Sequence, residues 1–402
     1  MTRHYTTRDF FRQMPNALLA RYFQRRDVLA DLDFATLKET KPDELFAAWM
    51  ELPDSLRNGM DAEFKIIFEM SCENGFCAIR DEAAWHLDEE PLAEFVEKLA
   101  ALANHAERSM ITYLDHNEFW KGATLFYHAD TLSHWRKRKN LPHGSAATDP
   151  SSLDELAHLM RTYFHRTEGR GNNCIVEPYR RGDLIYYFAY PEDYSQHGVE
   201  WVNGTLDRRP HNPAFEVIYV YSRKKGALDV KFRGSTKAIE PLQSMFATAI
   251  LKLTALPPDP KDGRVYDLDQ LSKRGFSFLY EPESGIQSIV LRKIRLSSRV
   301  RKGDRITLEA DTSSNPNAIY DLLDKIGLSP NLFHVTQVEL AAMIISEVGK
   351  PPKTVTIRIT YPNSCSLKYD ELDLRLREML EASGIEPKDP EQESDEEEPV
   401  EA

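Results

Sequence analysis

The hydrophobic period of this chain changes once, near Arg170, and that change limits the folds open to it. Before it, apolar residues recur every three to four positions. Leu18, Leu19, Tyr22, Phe23 and Leu29 form one such series, and Leu92, Phe95, Val96, Leu99 and Leu102 another. That spacing is the stripe of an amphipathic helix. After it, apolar and polar residues alternate. Ile294 and Leu296 alternate with Lys293 and Arg295, and Ile306 and Leu308 with Arg305, Thr307 and Glu309. A period of two puts one set on a core face and the other in water. The chain therefore reads as α+β: a helical N-terminal domain followed by antiparallel sheet with helices packed on one face.

The second half repeats a layout. FEVIYVYSRKKGALDVKFRG reads as strand, basic turn and strand, followed by a helix in the stretch STKAIEPLQSMFATAILKL. SIVLRKIRLSSRVRKGDRITLEAD and NPNAIYDLLDKIG repeat the order, and HVTQVELAAMIISEVGKPPKTVTIRIT with SLKYDELDLRLREMLEASG repeats it again. The expected organisation is a helical domain over 1–148, including a helix over 119–138, and a helix plus the first hairpin region over 149–260. The second and third hairpin-plus-helix units fill 261–385. Whether the three units share a sheet is open at this stage. Residues 386–402 contain nine acids and one lysine with few bulky apolar side chains, a composition that reads as a disordered acidic tail.

No stretch reaches the roughly 18–20 apolar residues that span a bilayer, and the N-terminal residues lack a signal-peptide pattern. Cys72, Cys77, Cys174 and Cys365 are sparse, which fits free thiols in a reducing compartment. The expectation is a cytoplasmic protein with no membrane contact. Its oligomeric state is not written in the sequence.

The net charge of the whole chain is −13, yet seven Lys or Arg fall within the fifteen positions from Leu291 to Arg305. Arg299, Arg301, Lys302 and Arg305 cluster at the turn of that hairpin, and Arg223, Lys224 and Lys225 at the turn of the preceding one. Arg136, Lys137 and Arg138 form a third run, read as the end of a helix, where cations complement the macrodipole. Basic hairpin tips suit the phosphate backbone of DNA or RNA. An alternating strand needs charge on its wet face in any case, and Glu309 can neutralise part of it across the hairpin. Tyr186, Tyr187, Phe188 and Tyr190 read as sheet core or, alternatively, as a platform for stacked bases.

Motifs for enzyme chemistry are scarce. There is no phosphate-binding GxxxxGK[ST], no GxGxxG, no GxSxG and no HExxH. The Cys72–Cys77 spacing lacks a fourth metal ligand. His197 and His211 flank Trp201 in what reads as loop, with no nucleophile beside them. One constellation remains: Asp229 and Lys231 stand two apart on a strand, with Glu216 upstream, the arrangement of metal-dependent nucleases. The sequence thus points to a non-enzymatic binding or adaptor component of a larger bacterial assembly, without cofactor or metal. It would contact protein partners and the backbone of DNA or RNA. The alternatives are a metal-dependent nuclease using the D-x-K pair and a pure protein–protein interaction module.

Overall fold

The structure, a computed structural model, describes residues 4–202, 204–258, 264–327, 332–345 and 352–387. The chain divides into two compact units, Met1–Leu132 with Arg180–Gly182, and Ser133–Tyr179 with Asp183–Ala402. The fold is α+β, as the change of period requires.

The first unit contains helices α1 (Thr7–Gln13), α2 (Asn16–Arg25), α3 (Asp43–Glu51), α4 (Asp54–Met70), α5 (Glu73–His86), α6 (Glu89–Ala100), α7 (His105–Asp115) and α8 (Asn117–Thr131). The Thr6 hydroxyl caps α1 by accepting from the Asp9 amide. Aromatic side chains of α1, α2 and α3 converge on Phe64 of α4, which is fully buried. Its ring centroid lies 4.7 Å from Phe10, 4.8 Å from Tyr22 and 5.4 Å from Trp49. These offset and tilted contacts are the geometries aromatic quadrupoles prefer.

The second unit is built on β1 (Trp135–Arg138), α9 (Pro150–Glu168), β2 (Val176–Arg181), β3 (Leu184–Ala189), β4 (Gln196–Val202), β5 (Thr205–His211), β6 (Val217–Ser222), β7 (Ala227–Phe232), α10 (Ile239–Ala249), β8 (Ile286–Ser298), β9 (Arg305–Glu309), α11 (Ala318–Ile326), β10 (Phe333–Ile344), β11 (Lys353–Thr360), β12 (Ser364–Cys365) and α12 (Glu371–Ala382). Ten strands form one sheet in the order β2-β3-β6-β7-β1-β12-β11-β10-β8-β9, and β4 and β5 pair separately. All three hairpin-plus-helix units of the sequence therefore share a single sheet.

The register explains how helices cover it. Trp135, Cys365, Ile359, Val338, Ile294 and Leu308 lie side by side on successive strands and are all buried. Cys365, Ile359, Val338, Ile294 and Leu308 belong to a core that includes Ile319 of α11 and Leu376 of α12. The next row, one residue along, is Tyr187, Tyr219, Val230, Arg136, Ser364, Thr360, Gln337, Arg295 and Thr307. Side chains alternate, so this row faces the other way. Its apolar members, Tyr187, Tyr219 and Val230, pack in a core with Leu156 of α9 and Phe246 of α10. The helices thus lie on both faces of the sheet and not on one, α11 and α12 against one face and α9 and α10 against the other. In β3 and β6 both faces are buried, since Tyr186, Phe188, Ile218 and Val220 alternate with Tyr187 and Tyr219 and are buried as well. The apolar residues of the basic hairpin face the core as their alternation implies, and Lys293 pairs with Glu309 across it at 2.8 Å.

Two further expectations are corrected. The helix over 119–138 ends at Thr131, and Trp135–Arg138 is a strand hydrogen-bonded on both sides, to β7 and to β12. Pairing with two distant neighbours overrides local helix preference. Glu386 does not belong to an acidic tail, because it is fully buried in the second unit; the rest of that segment, 388–402, lies outside the described residues. Of the two readings of the aromatic strand, sheet core is the one that holds: Tyr186, Tyr187 and Phe188 are fully buried.

Candidate nucleic-acid interface

From β3 across to β9, every neighbouring pair of strands in the large sheet is antiparallel. Six antiparallel steps lead from β6 to β8, so the two strands run in the same direction. Their turns, 223–226 and 299–304, consequently emerge at the same end of the sheet. They also emerge at the same height: Ser222 ends β6 three residues past Tyr219, and Ser298 ends β8 three residues past Arg295, and Tyr219 and Arg295 share a row. The turns are six strand spacings apart, about 29 Å measured along the sheet. Strand twist of about 20° per step winds this rim instead of leaving it straight. Gly226 and Gly303 both have positive φ, which lets each chain reverse without a Cβ in the way.

The side chains at this end fall into distinct groups. Lys224, Arg301, Lys302 and Arg305 are exposed. Among the described residues Lys224 and Lys302 have no ion-pair partner, and Arg301 stands 3.8 Å from Asp304. Arg299 is engaged, bonding Asp269 at 2.7 Å and the Phe333 carbonyl at 3.1 Å. Arg223 donates to the His143 carbonyl at 2.9 Å, and Lys225 pairs with Glu381 of α12.

The third basic run has a different fate. Lys137 and Arg138 are 4% and 5% exposed. Alternation sends them to opposite faces of a central strand, and each face is covered. The Lys137 ammonium lies 2.7 Å from the Glu386 carboxylate, and Arg138 donates to Gln243 of α10 at 3.4 Å. Neither can reach a phosphate, so both are withdrawn as nucleic-acid contacts. Burial disfavours the Lys137 cation, but the carboxylates of Glu386 and Asp229 outweigh it and hold its pKa above the ordinary lysine value. For Glu386 burial acts upward, and Lys137 beside it brings the pKa below the usual glutamate value. Arg136 is half-buried in the row that contains Arg295, and burial lowers its pKa.

The nuclease constellation does not assemble. Asp229 is buried opposite Lys137, and Lys231 donates to the Ser133 carbonyl. Asp229 pairs with Val220, and Glu216 lies four residues before Val220, about 13 Å along the strand. No group of three or more His, Cys, Asp or Glu side chains able to hold a metal occurs among the described residues.

One feature escaped the sequence reading. His197 and His211 are not loop residues but lie on β4 and β5, which form a two-stranded arm. His197, Val199, Trp201, Leu206 and Arg208 share one of its faces by register, and Trp201 is 74% exposed. The Asn203-Gly204 dipeptide between alternating residues is a strong hairpin signal. No protein-family model matches the chain, and no curated protein matches it in sequence.

Proposed function

We propose that this protein is a non-enzymatic binding component that holds the phosphate backbone of a nucleic acid at the hairpin end of its ten-stranded sheet. The observation that supports this most is the common register of the two basic turns, which sets Lys224 at one end of a rim and Arg301, Lys302 and Arg305 at the other. A span of about 29 Å corresponds to roughly eight phosphates of one strand. Contacts of this kind carry no base information, so binding is expected to be indifferent to sequence.

A titration of fluorescein-labelled duplex DNA, single-stranded DNA and RNA at two salt concentrations tests the reading. Four phosphate contacts give a slope of log K against log salt near −3.6 for duplex DNA, or on the order of a hundredfold weaker binding between about 50 and 200 mM salt. No binding at the lower salt, or binding that salt leaves unchanged, overturns it.

A second reading, a protein–protein interaction module, is supported by the β4–β5 arm, whose exposed Val199, Trp201 and Leu206 resemble the apolar anchors that dominate protein interfaces. It takes precedence if no nucleic acid binds and Trp201→Ser abolishes a self-association seen by sedimentation velocity.

A further inference from the structure

The acidic C-terminal segment starts beside the basic rim. Glu386 is held by Lys137 of β1, and the Lys139 ammonium bonds the Pro387 carbonyl at 2.5 Å. Lys137 and Lys139 run along and just past β1 toward the end of the sheet where the 223–226 turn emerges, since the Leu141 amide donates to the Gly226 carbonyl at 2.9 Å. Lys225 of that turn also pairs with Glu381 at the end of α12. Pro387 is therefore fixed near the first basic turn, held by Lys139 just past β1, the strand adjacent to β7. The fifteen residues that follow hold eight acids and one lysine. Fifteen residues can extend about 50 Å at most, which exceeds the rim's length of about 29 Å.

We propose that residues 388–402 dock on the protein's own hairpin rim, first at Arg223 and Lys224 and then toward Arg301 and Lys302, as an internal polyanion that competes with nucleic acid. Three observations meet here: the anchoring point, the length of chain beyond it, and the opposition of charge. Attachment makes the competition intramolecular, so weak ion pairs act at a high effective concentration. The segment would set a threshold that only a denser or longer polyanion overcomes, and salt would release both alike. The competition rests on the nucleic-acid reading; the docking does not.

Two measurements separate them. Zero-length carbodiimide coupling joins a lysine amine to a carboxylate in contact with it, and peptide mapping by mass spectrometry locates the amide. The full-length protein at low salt should yield cross-links from Glu391–Glu398 to Lys224, with Lys302 second; high salt should remove them, and Lys224→Arg should remove the first. Cross-links spread over lysines away from the rim, or none, overturn the docking. Truncation after Pro387 keeps the Lys137–Glu386 and Lys139–Pro387 contacts, and should tighten nucleic-acid binding by at least about tenfold. If the cross-links form and truncation leaves the affinity unchanged, the competition is overturned. If they form and neither protein binds nucleic acid, the docking stands and the proposed function falls.

Discussion

Arg136-Lys137-Arg138-Lys139 and the turn from Arg299 to Arg305 look alike in sequence, yet the fold treats them in opposite ways. The first became the middle strand of a ten-stranded sheet, with Lys137 and Arg138 buried on opposite faces. The second stayed at a turn, where Arg301, Lys302 and Arg305 are exposed. What separates them is the company each keeps. The buried run is satisfied by groups from far along the chain: Glu386, Gln243 and the Pro257 and Pro387 carbonyls. The exposed run has Gly303 at positive φ; a distant acid, Asp269, reaches only Arg299 at its edge, and Arg301 has only its neighbour Asp304. A buried cation must be paired, whereas an exposed one is already solvated. Charge density alone therefore does not mark a binding surface.

The largest expected effect tests the buried side of this comparison. Lys137→Met leaves the Glu386 carboxylate without its closest cation, and should destabilise the protein by about 3–5 kcal/mol in urea unfolding. Replacing both partners, Lys137→Met with Glu386→Leu, should recover much of that loss, because an apolar pair avoids desolvation. A double variant as unstable as the single one would mean that Glu386 is not the partner that matters. Ile294→Ala, in the basic hairpin itself but on its core face, should cost about 2–5 kcal/mol without altering charge. A loss near zero would contradict the register that aims Ile294 at Val338 and Leu308.

A smaller effect concerns pH. Folding lowers the pKa of Glu386 below its ordinary value of 4.5, so its contribution to stability is present above that value and is lost as pH falls through the lower, folded one. Folding raises that of Lys137, so its contribution is present below 10.5 and is lost as pH rises through the higher one. The stability advantage of wild type over the Met/Leu double variant should therefore be greatest between those limits and shrink on both sides. Urea midpoints at acidic, neutral and alkaline pH measure it; a difference that does not change with pH would show the pair is not ionised.

How much of this was readable beforehand follows from the range of the interactions. Ile294, Leu296 and Leu308 announced their hairpin because period-two alternation is local, and the helices announced themselves through their stripes. The strand Trp135–Arg138 gave no such signal. It is four residues long, its alternate side chains are all bulky or charged, and its partners Leu228–Val230 and Ser364–Cys365 lie far away in sequence. Glu386 was placed in a tail by its acidic neighbours, though a buried lysine is what determines its position. The β4–β5 arm is legible in Asn203-Gly204, a hairpin signal between alternating residues. Of the candidate contacts, the turns could be found from the sequence. Their shared end and equal height could not, because these depend on the pairing order of all the strands between them.

The smallest effect on stability should come from the exposed side. Lys224, Arg301 and Lys302 changed together to Gln lose no buried contact, and exposed charges of this kind contribute only about 0–1 kcal/mol. The urea midpoint should barely move, in contrast to the single change at Lys137. Gly226 and Gly303 stay, since both are at positive φ. Arg299 is left alone as well, because its bonds to Asp269 and the Phe333 carbonyl would confuse a loss of binding with a change in the turn. If the rim touches phosphates, the triple variant should weaken binding to every nucleic-acid sequence alike. The slope of log K against log salt should become shallower by about one unit for each lost contact. Lys302→Arg should restore most of one unit, because the charge rather than the ammonium shape is what displaces counterions. A variant that binds as wild type does, with the same slope, would place any nucleic-acid contact elsewhere than on the hairpin rim. The exposed run would then be simply the wet end of a hairpin, its cations left in water because the fold supplied them with nothing better.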